Sequence, residues 1–431
     1  MDVRIKPGKL SGEIEAISSK SDAHRILIGS LLSKNETNLH VNIMSEDIKA
    51  TIDCIREAGC TVDYAHNMLK IKPVPIDVDK EYHFDCNESG STLRFFIPIA
   101  AALGINATFT GRGRLPERPL SPLVEELEAH GVRIKRPDDA YLPLVLEGKL
   151  TPGIFKIAGN ISSQFVTGLL FALPLLQEES KLIITPPVES RPYIDMTLNT
   201  LRKYGIKVQE TRENENTCFY VTGGQKYTSP KHIEAEGDWS NAAFWFVAGA
   251  MSEEGMVIKG VNERSLQGDK YIVEHLIRVG AKVEKIDDGY KVTRNNLLAR
   301  DVDAAKIPDL VPIIATLASV SKGTTRIYNA YRLRIKESDR LSTVAQNLRN
   351  LGADITEFED SLVINGKEML EGGIADSYND HRIAMSMAIA AGACKNDVII
   401  KNAEAVNKSY PTFFDDFKRR KGVFDVIELR E

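Results

Sequence analysis

The sequence has few cysteines, and their spacing suits neither a disulfide framework nor a zinc site. There are five in 431 residues, an odd number, and no two of them form a Cys-x-x-Cys pair. Disulfide-stapled domains and zinc ribbons depend on paired, closely spaced cysteines. We therefore expect free thiols in this protein, and no metal held by cysteine.

Long apolar runs are also missing. The longest run spans about ten residues, 242–251, whereas a membrane-spanning helix needs ~20. The first seven residues lack the apolar core that a signal peptide requires. Together these two features predict a cytoplasmic protein that does not associate with a membrane.

The chain has no excess of basic residues. Its 60 acidic and 55 basic side chains give a net charge of −5, and proteins held on nucleic acid by bulk charge usually have a basic balance. The P-loop pattern and the His-x-x-x-His and Glu-x-x-His metal patterns are absent, and Gly111-Arg-Gly113 lacks the third glycine of a dinucleotide fingerprint. We expect no nucleic-acid partner, and we expect arginine and lysine rather than a metal to stabilise charge.

An internal repeat of about 72 residues is the most informative feature that is present. Five amphipathic helices each end at a glycine that is followed by a strand of alternating polarity, and a degenerate sixth copy is expected at Gly422. Glycine at such a position takes the left-handed conformation that ends a helix. The five glycines are Gly59, Gly131, Gly205, Gly280 and Gly352.

A second landmark recurs with the same period. Six segments are apolar on nearly every side, which predicts buried helices. They begin near Ser21, Ser91, Ser163, Ser240, Asp309 and Asp380, and Ser and Asp are favoured N-cap residues. Two landmarks in register predict six α/β units in two groups of three, with the chain crossing between the groups near 15–20 and 232–239.

The starts of these buried helices carry polar residues in the first half of the chain. A helix N-terminus offers free N–H groups and a partial positive charge, so it suits an anion. Lys20, Ser21 and Arg25 lie at the first start, and Ser162-Ser163-Gln164 leads the third. Taken singly, the first group is better explained by a capped helix with solvated charges, and the third by simple capping.

In the second half, carboxylates and cations occur together. The positive charge of Arg382 is unfavourable at a helix start, where the helix dipole is also positive, unless an anion or a carboxylate offsets it. The charged stretch from Arg332 to Arg340, read alone, also fits a solvated face. If the helix starts meet at one face, the chain forms a cleft between its halves, with Asp309 and Glu337 among the cations. Such a cleft suits a substrate with several negative charges and a reaction that moves protons.

Eight motifs, in order along the whole chain, resemble the EPSP synthase family, the 3-phosphoshikimate 1-carboxyvinyltransferases. The Lys-Glu-Ser-Asp-Arg and Asn-Asp-His-Arg motifs are specific in combination. The eight are Lys20-Ser21 with Arg25, residues 89–94, Glu117-Arg118-Pro119, Ser162-Ser163-Gln164, Ile307-Pro308-Asp309, residues 336–340, Asn379-Asp380-His381-Arg382 and Lys408.

The resemblance implies an α/β fold, a two-domain inside-out α/β barrel of six βαβαββ-type units, three per domain, with buried helices. Domain 1 would comprise residues 1–18 and 233–431, and domain 2 would comprise residues 19–232. The family's domains close on their substrates, and we expect the protein to be a monomer.

The resemblance also implies a reaction in the biosynthesis of chorismate and the aromatic amino acids. The 5-hydroxyl of shikimate 3-phosphate attacks C2 of phosphoenolpyruvate, a tetrahedral intermediate forms, phosphate leaves and an enolpyruvyl ether remains. Neither a metal nor an organic cofactor is implied, and inhibition by glyphosate is a further expectation.

Residue roles carry over position by position. Asp309 would take the hydroxyl proton and Glu337 would deliver a proton to the methylene carbon. Lys20 would be a third catalytic residue, and Lys336 would contact both the reacting centre and the substrate. Shikimate 3-phosphate would be held by Lys20, Ser21, Arg25, Ser162, Ser163, Gln164, Ser190, Asp309 and Lys336. Phosphoenolpyruvate would be held by Lys20, Gly90, Arg118, Gln164, Arg340, Arg382 and Lys408.

Three departures from the family pattern and two alternative functions remain. Gly90 is followed by Ser-Thr-Leu-Arg where many members have Thr-Ala-Met-Arg, and Arg332 stands where an asparagine is common, so its role is open. The residues around Lys408, 407–412, match the family pattern more loosely than usual. One alternative is a UDP-N-acetylglucosamine enolpyruvyl transferase, but residues 112–118 lack the loop cysteine usual in that class. The other is a non-catalytic anion-binding relative, against which Asp309, Lys336 and Glu337 argue.

Overall fold

A computed structural model of the chain describes residues 1–427. The chain forms two compact units, one continuous in sequence and one split. The continuous unit is Lys20–Ala235, and the split unit combines Met1–Ser19 with the chain from Glu236 onward. These two names are used below.

Within residues 1–427 there are twelve α-helices and seven short 3-10 turns. The α-helices are Lys20–Leu32 (α1), Glu46–Glu57 (α2), Gly90–Leu103 (α3), Leu123–Ala129 (α4), Ser163–Ala172 (α5), Arg191–Lys203 (α6), Trp239–Ala250 (α7), Tyr271–Arg278 (α8), Val311–Ala318 (α9), Arg340–Asn350 (α10), His381–Ala390 (α11) and Phe413–Arg419 (α12). The 3-10 turns are Leu115–Glu117, Leu173–Leu175, Gly268–Lys270, Pro308–Leu310, Tyr331–Ile335, Ala391–Ala393 and Ala403–Lys408.

The same residues form 24 strands. They are Asp2–Ile5 (β1), Gly12–Glu15 (β2), Thr37–His40 (β3), Thr61–Ala65 (β4), Met68–Lys72 (β5), Glu81–Asp85 (β6), Asn106–Thr110 (β7), Val132–Lys135 (β8), Leu144–Gly148 (β9), Ile154–Ala158 (β10), Ser180–Thr185 (β11), Gln209–Glu213 (β12), Asn216–Val221 (β13), His232–Glu234 (β14), Met256–Lys259 (β15), Lys282–Ile286 (β16), Gly289–Thr293 (β17), Val302–Asp303 (β18), Thr324–Tyr328 (β19), Asp354–Glu357 (β20), Leu362–Asn365 (β21), Gly373–Asp376 (β22), Val398–Lys401 (β23) and Phe424–Ile427 (β24).

The strands form six four-stranded sheets in the described part of the chain, all with one design. In the sheet β6-β7-β9-β8, for example, β6 runs parallel to β7, and β9 pairs antiparallel with both β7 and β8. The intervening helices are α3 and α4, so the chain order is strand, helix, strand, helix, hairpin. The α/β fold of six repeated βαβαββ units expected from the sequence is therefore confirmed.

Three of the six sheets contain a strand from a distant part of the chain. β14 runs parallel to β3, β2 runs parallel to β15, and β1 inserts between β23 and β24. The repeat did not predict these exchanges, because its landmarks are helices and glycines. The domain boundary expected after residue 232 falls inside β14, all of which pairs with β3. The division into domains at 1–18, 19–232 and 233–431 itself remains a prediction.

The six apolar segments form α1, α3, α5, α7, α9 and α11, and they are buried as predicted. All eight residues of α9 are buried, for example. Of the six residues predicted at the helix starts, only Asp380 is the cap. The caps of α3, α5 and α7 are Ser89, Ser162 and Asp238, while Ser21 lies inside α1 and Asp309 lies in the 3-10 turn before α9. Among residues 1–427 no helix combines the length and the apolar character needed to cross a membrane.

The glycines that end the surface helices behave as the repeat predicts. The φ angles of Gly59, Gly131, Gly205, Gly280 and Gly352 lie between 79° and 100°, in the left-handed region. The sixth copy differs, because Lys421 takes the left-handed conformation at φ 70°. Gly422 is instead required by packing, since a Cβ there would overlap the ring of Phe417. All five cysteines are buried free thiols, which confirms that expectation.

Candidate active site

The split unit gathers three carboxylates around one buried guanidinium, that of Arg340. Its Nη1 lies 2.8 Å from Asp309 Oδ1, its Nη2 2.8 Å from Glu337 Oε2, and its Nε 2.8 Å from Asp380 Oδ2. Only 1% of the Arg340 side chain is exposed. A charge withdrawn from water needs such partners, because the desolvation cost of an unpaired ion is several kcal/mol or more.

Each of these carboxylates is positioned by a turn or by the start of a helix. Asp309 lies in the 3-10 turn before α9, and Glu337 lies in the short link between the turn Tyr331–Ile335 and α10. Asp380 caps α11 by accepting a hydrogen bond from the backbone N–H of Arg382, and it also accepts one from Ser338 Oγ. The sequence placed Asp380 only as a helix start, so its pairing with Arg340 was missed.

Asp309 also faces two further cations. Lys336 Nζ lies 3.7 Å from its Oδ1, and Arg382 Nη2 lies 3.4 Å from its Oδ2. Burial by itself would raise the pKa of Asp309, but Arg382, Lys336 and Arg340 together outweigh burial and hold that pKa well below its usual range. Asp309 is therefore the carboxylate that offsets the charge of Arg382 at the start of α11, and it is ionised at neutral pH.

Lys336 is a cation that loses its proton close to physiological pH. The pKa of Lys336 is lowered to about 8, mainly by burial; Asp309 and Glu337 act to raise it, and Arg332 adds to the lowering. The alternative that residues 332–340 form a solvated face is wrong, because Arg332, Ser338 and Arg340 are buried.

Lys408 belongs to the same unit. It ends the 3-10 turn Ala403–Lys408, which packs against α11, and its side chain is buried. Its Nζ donates a hydrogen bond of 2.5 Å to the backbone carbonyl of Asn379, the residue before the α11 cap. Lys408 thus lies beside the same helix start that presents Arg382.

The continuous unit holds its arginine differently. Arg25 Nε donates to Thr197 Oγ1 at 3.0 Å, Nη2 donates to the Tyr193 carbonyl at 3.0 Å, and Nη1 donates to the Ser21 carbonyl at 2.6 Å. Burial lowers the pKa of Arg25 to about 10, even though Asp22 acts to raise it. Arg25 therefore remains charged at neutral pH, and the acceptors in these three hydrogen bonds are neutral oxygens.

Lys20 is the first residue of α1 and makes an ion pair across to α2. Its Nζ lies 2.7 Å from Asp47 Oδ2, and both side chains are largely buried, at 15% and 13% exposure. Asp47 was not singled out from the sequence, because nothing in its neighbourhood differs from an ordinary acidic first turn of a helix.

The starts of α3 and α5 are tied together through Gln164. Its Nε2 donates to Ser91 Oγ at 2.9 Å, and its Oε1 accepts from Arg94 Nη1 at 2.6 Å. Ser162 caps α5 by accepting from the Gln164 backbone N–H, and Arg94 Nη2 donates to the Pro119 carbonyl. In the sequence Arg94 is recognisable only as part of a motif. Its role in fixing Gln164 follows from the packing of α3 against α5.

Gly90 and Arg118 meet at the start of α3. A Cβ on Gly90 would lie 2.8 Å from Arg118 Nη1, which is closer than real Cβ contacts allow. Arg118 follows the 3-10 turn Leu115–Glu117 and is buried. Glycine therefore lets a guanidinium approach the free N–H groups of this helix.

Two serines complete the set in the continuous unit. Ser163 is the first residue of α5 and is buried. Ser190 precedes α6 with φ 52° and ψ 33°, a left-handed conformation that is costly for a residue other than glycine, and it is almost fully buried. Backbone strain of this kind is concentrated at functional sites.

The predicted site residues are divided between the two units. Among residues 1–427 no three His, Cys, Asp or Glu side chains are arranged to hold a metal ion. The continuous unit contains Lys20, Ser21, Arg25, Gly90, Arg118, Ser162, Ser163, Gln164 and Ser190, and the split unit contains Asp309, Lys336, Glu337, Arg340, Arg382 and Lys408.

Known proteins resemble this chain over almost its whole length. The family model for EPSP synthase (3-phosphoshikimate 1-carboxyvinyltransferase) matches residues 5–417. The 3-phosphoshikimate 1-carboxyvinyltransferases of Clostridium novyi and Clostridium kluyveri are each 43% identical, with 98% of both chains covered.

Solved structures share the fold. The EPSP synthase of Acinetobacter baumannii has a TM-score of 0.80 at 24% identity, covering 99% of this chain and all of that one. The enolpyruvyl transferase NikO of Streptomyces tendae has a TM-score of 0.78 at 15% identity, covering 98% of each. At these identities the structures establish the fold, while the family match and the 43% identical relatives establish the family. The chain belongs to the EPSP synthase family.

Proposed function

We propose that this protein transfers the enolpyruvyl group of phosphoenolpyruvate to the 5-hydroxyl of shikimate 3-phosphate and releases phosphate. The observation that carries the proposal is the group around Arg340, in which Asp309 and Glu337 share one buried guanidinium. Two carboxylates at one cation provide an acceptor and a donor of protons, which this addition and elimination require. Membership of the EPSP synthase family supports the same reaction.

The continuous unit supplies the groups that hold shikimate 3-phosphate. Arg25 keeps a net positive charge because the oxygens it binds through its three shortest hydrogen bonds are neutral. Hydroxyl groups at a helix start add donors for phosphate oxygens. We assign Lys20, Ser21, Arg25, Ser162, Ser163, Gln164 and Ser190 to this substrate, together with Asp309 and Lys336 of the split unit.

Phosphoenolpyruvate needs cations for its carboxylate and phosphate. Arg118 at the start of α3 and Arg382 at the start of α11 each combine a guanidinium with a helix N-terminus. We assign Lys20, Gly90, Arg118, Gln164, Arg340, Arg382 and Lys408 to this substrate.

Proton transfer is assigned to the two carboxylates. Asp309 is ionised. It accepts the proton of the 5-hydroxyl while the oxygen of that hydroxyl forms a bond to C2 of phosphoenolpyruvate. Glu337 delivers a proton to C3, which becomes a methyl group in the tetrahedral intermediate. In the elimination, C3 returns a proton to Glu337, the C2–O bond to phosphate breaks and the enolpyruvyl double bond is restored. Phosphate leaves with the proton that Asp309 accepted. Lys20 assists at the reacting centre.

Phosphate release tests the proposal. We expect release when phosphoenolpyruvate and shikimate 3-phosphate are both present, none with either alone, and loss of release in Asp309→Asn. Release with UDP-N-acetylglucosamine in place of shikimate 3-phosphate would support that alternative, and binding of both substrates without release would support a non-catalytic relative. Inhibition by glyphosate, the monomeric state and the cytoplasmic location remain predictions.

A further inference from the structure

Four buried side chains of the continuous unit join α1 and α2 to the cap of α3, and the reaction above gives none of them a role. His24 Nδ1 lies 2.6 Å from Thr51 Oγ1, and Thr51 Oγ1 lies 2.7 Å from Thr92 Oγ1. Thr92 Oγ1 donates a hydrogen bond of 2.7 Å to Ser89 Oγ. None of the four side chains belongs to a residue that is more than 1% exposed. We call these four residues the hydroxyl chain.

The hydrogen bonds of the hydroxyl chain run in one direction. Thr92 uses its hydroxyl hydrogen on Ser89, so Thr51 must donate the hydrogen bond between the two threonines. Thr51 then has no hydrogen left for His24, so His24 Nδ1 must carry a hydrogen and donate it. Burial and two nearby cations hold the pKa of His24 well below its usual range, so the ring is neutral. Every member of the chain is therefore committed to its neighbour.

The hydroxyl chain ends on the residue that caps α3. Ser89 Oγ also accepts a hydrogen bond of 3.3 Å from the backbone N–H of Thr92, in the first turn of the helix. The residue after the cap is Gly90, where Arg118 approaches the helix start. Thr92 stands where many members of the family have alanine, and alanine could not complete the chain.

We propose that His24, Thr51 and Thr92 are positioning residues that act through the cap of α3 and hold its start in the place where it binds phosphoenolpyruvate. The free N–H groups of a helix start bind an anion only when they are aimed at it. The hydroxyl chain fixes that aim by tying the cap to two neighbouring helices. This inference rests on the assignment of Gly90 and Arg118 to phosphoenolpyruvate in the proposed function.

The start of α1 does not depend on the hydroxyl chain in the same way. Lys20, its first residue, is held on α2 by the ion pair of 2.7 Å with Asp47, one helical turn before Thr51. This pair remains when the chain is broken. We therefore expect loss of the chain to affect phosphoenolpyruvate more than shikimate 3-phosphate.

Thr51→Val breaks the hydroxyl chain in its middle, because valine has nearly the shape of threonine but no hydroxyl. We expect the KM for phosphoenolpyruvate to rise about 5- to 10-fold, while kcat and the KM for shikimate 3-phosphate change by less than about 2-fold. Thr51→Ser restores a hydroxyl and should return the KM to within about 2-fold of the parent. An unchanged KM for phosphoenolpyruvate, equal increases in both KM values, or a serine variant that behaves like valine overturns the proposal.

Thr200→Val is the matched control. Thr200 is a threonine of the same unit that is as buried as Thr51, and its hydroxyl donates to the Met196 carbonyl within its own helix at 3.1 Å. Its loss removes one buried hydrogen bond and leaves the chain intact, so both KM values should stay at the parent level. A rise in the KM for phosphoenolpyruvate equal to that of Thr51→Val would show a general loss of stability and would overturn the proposal.

Amide hydrogen exchange separates this proposal from the proposed function, because it needs no substrate. In Thr51→Val the amide of Thr92 should exchange at least about 3-fold faster than in the parent, and in Thr200→Val it should exchange at the parent rate. Equal exchange in the parent and in Thr51→Val overturns the proposal even if the enzyme is active. An inactive parent would remove the proposed function, while the exchange rates would still decide whether the hydroxyl chain holds the start of α3.

Discussion

The two units repeat one design three times each, yet their buried helices begin with different chemistry. In the continuous unit α3 and α5 are capped by Ser89 and Ser162, whereas in the split unit α7 and α11 are capped by Asp238 and Asp380. Both residue types satisfy the free N–H groups of a helix equally well. A serine leaves the helix start able to attract an anion, but an aspartate neutralises it and adds a group that can exchange a proton.

The two buried arginines show the same contrast. Arg25 donates to hydroxyl and carbonyl oxygens, so its positive charge remains available to an anionic ligand. Arg340 donates to three carboxylates, so its charge is already paired within the protein. Burial acts to lower the pKa of both, but Asp380, Glu337 and Asp309 reverse the effect on Arg340 and raise its pKa. Arg25 of the continuous unit thus keeps its charge for a ligand, whereas Arg340 of the split unit orders the carboxylates to which proton transfer is assigned.

Removing a proton donor should break the split unit's function most strongly. Glu337→Gln keeps the shape of the side chain and should bind both substrates, but we expect turnover to fall by ~10²–10⁴. Entry of solvent deuterium at C3 of phosphoenolpyruvate should slow in parallel. Glu359→Gln, at an exposed position in the same unit, is the control. Deuterium entry at the parent rate would show that another group is the donor, with Lys336 or Lys20 the next to test.

Within the split unit, removing the buried cation Arg340 should destabilise the protein more than removing a cation from a partly exposed ion pair. Arg340→Met leaves three carboxylates without their shared partner, and we expect a loss of ~3–5 kcal/mol in the free energy of unfolding. Arg334→Met breaks partly exposed pairs with Asp339 and Glu357, for which ~1 kcal/mol is expected. Denaturant unfolding measures both, and equal losses would mean that the buried group contributes no special stability.

The anion-binding role of the continuous unit is sharpened by Arg118→Ala. Loss of one charge-assisted contact should weaken phosphoenolpyruvate binding by roughly 10- to 100-fold and leave shikimate 3-phosphate binding nearly unchanged. Arg25→Ala should show the opposite preference. Calorimetry with each substrate measures both effects, and Arg114→Ala, on an exposed side chain nearby, is the control. Equal weakening of both substrates by Arg118→Ala would remove its specific role.

The smallest expected effect concerns stability and pH. Asp269 lies in the 3-10 turn Gly268–Lys270, and burial raises its pKa to about 7. Its stabilising contribution is therefore complete below about pH 4 and is lost as the pH rises through 7. Asp269→Asn cannot ionise, and its melting temperature should exceed that of the parent by a few degrees at pH 8, at roughly 2–4 °C per kcal/mol. The advantage should shrink towards pH 5. A difference that is the same at both pH values would show that Asp269 does not ionise in the folded protein.

Several features could be predicted because they depend on residues close together in the chain. The burial of α9 follows from its uniform apolarity, and the left-handed Gly352 follows from its place after a helix. Cap positions were less certain, since Ser89 and Ser91 both suit a helix start and only the hydrogen bond to Thr92 N–H selects Ser89. Lys421 could not be anticipated, because Gly422 is the residue that the pattern favours.

The sequence by itself determined the repeat, the six buried helices and the residue types at their starts, because periodicity and capping act over a few neighbouring positions. Only the tertiary structure decided which of these residues meet. Asp309 and Asp380 lie 31 and 40 residues from Arg340 along the chain, and packing alone brings them onto its guanidinium. The tertiary structure also decided the pairing of β1, β2 and β14 with strands that are distant in the sequence. A strand pairs with whichever unpaired strand edge the fold brings beside it.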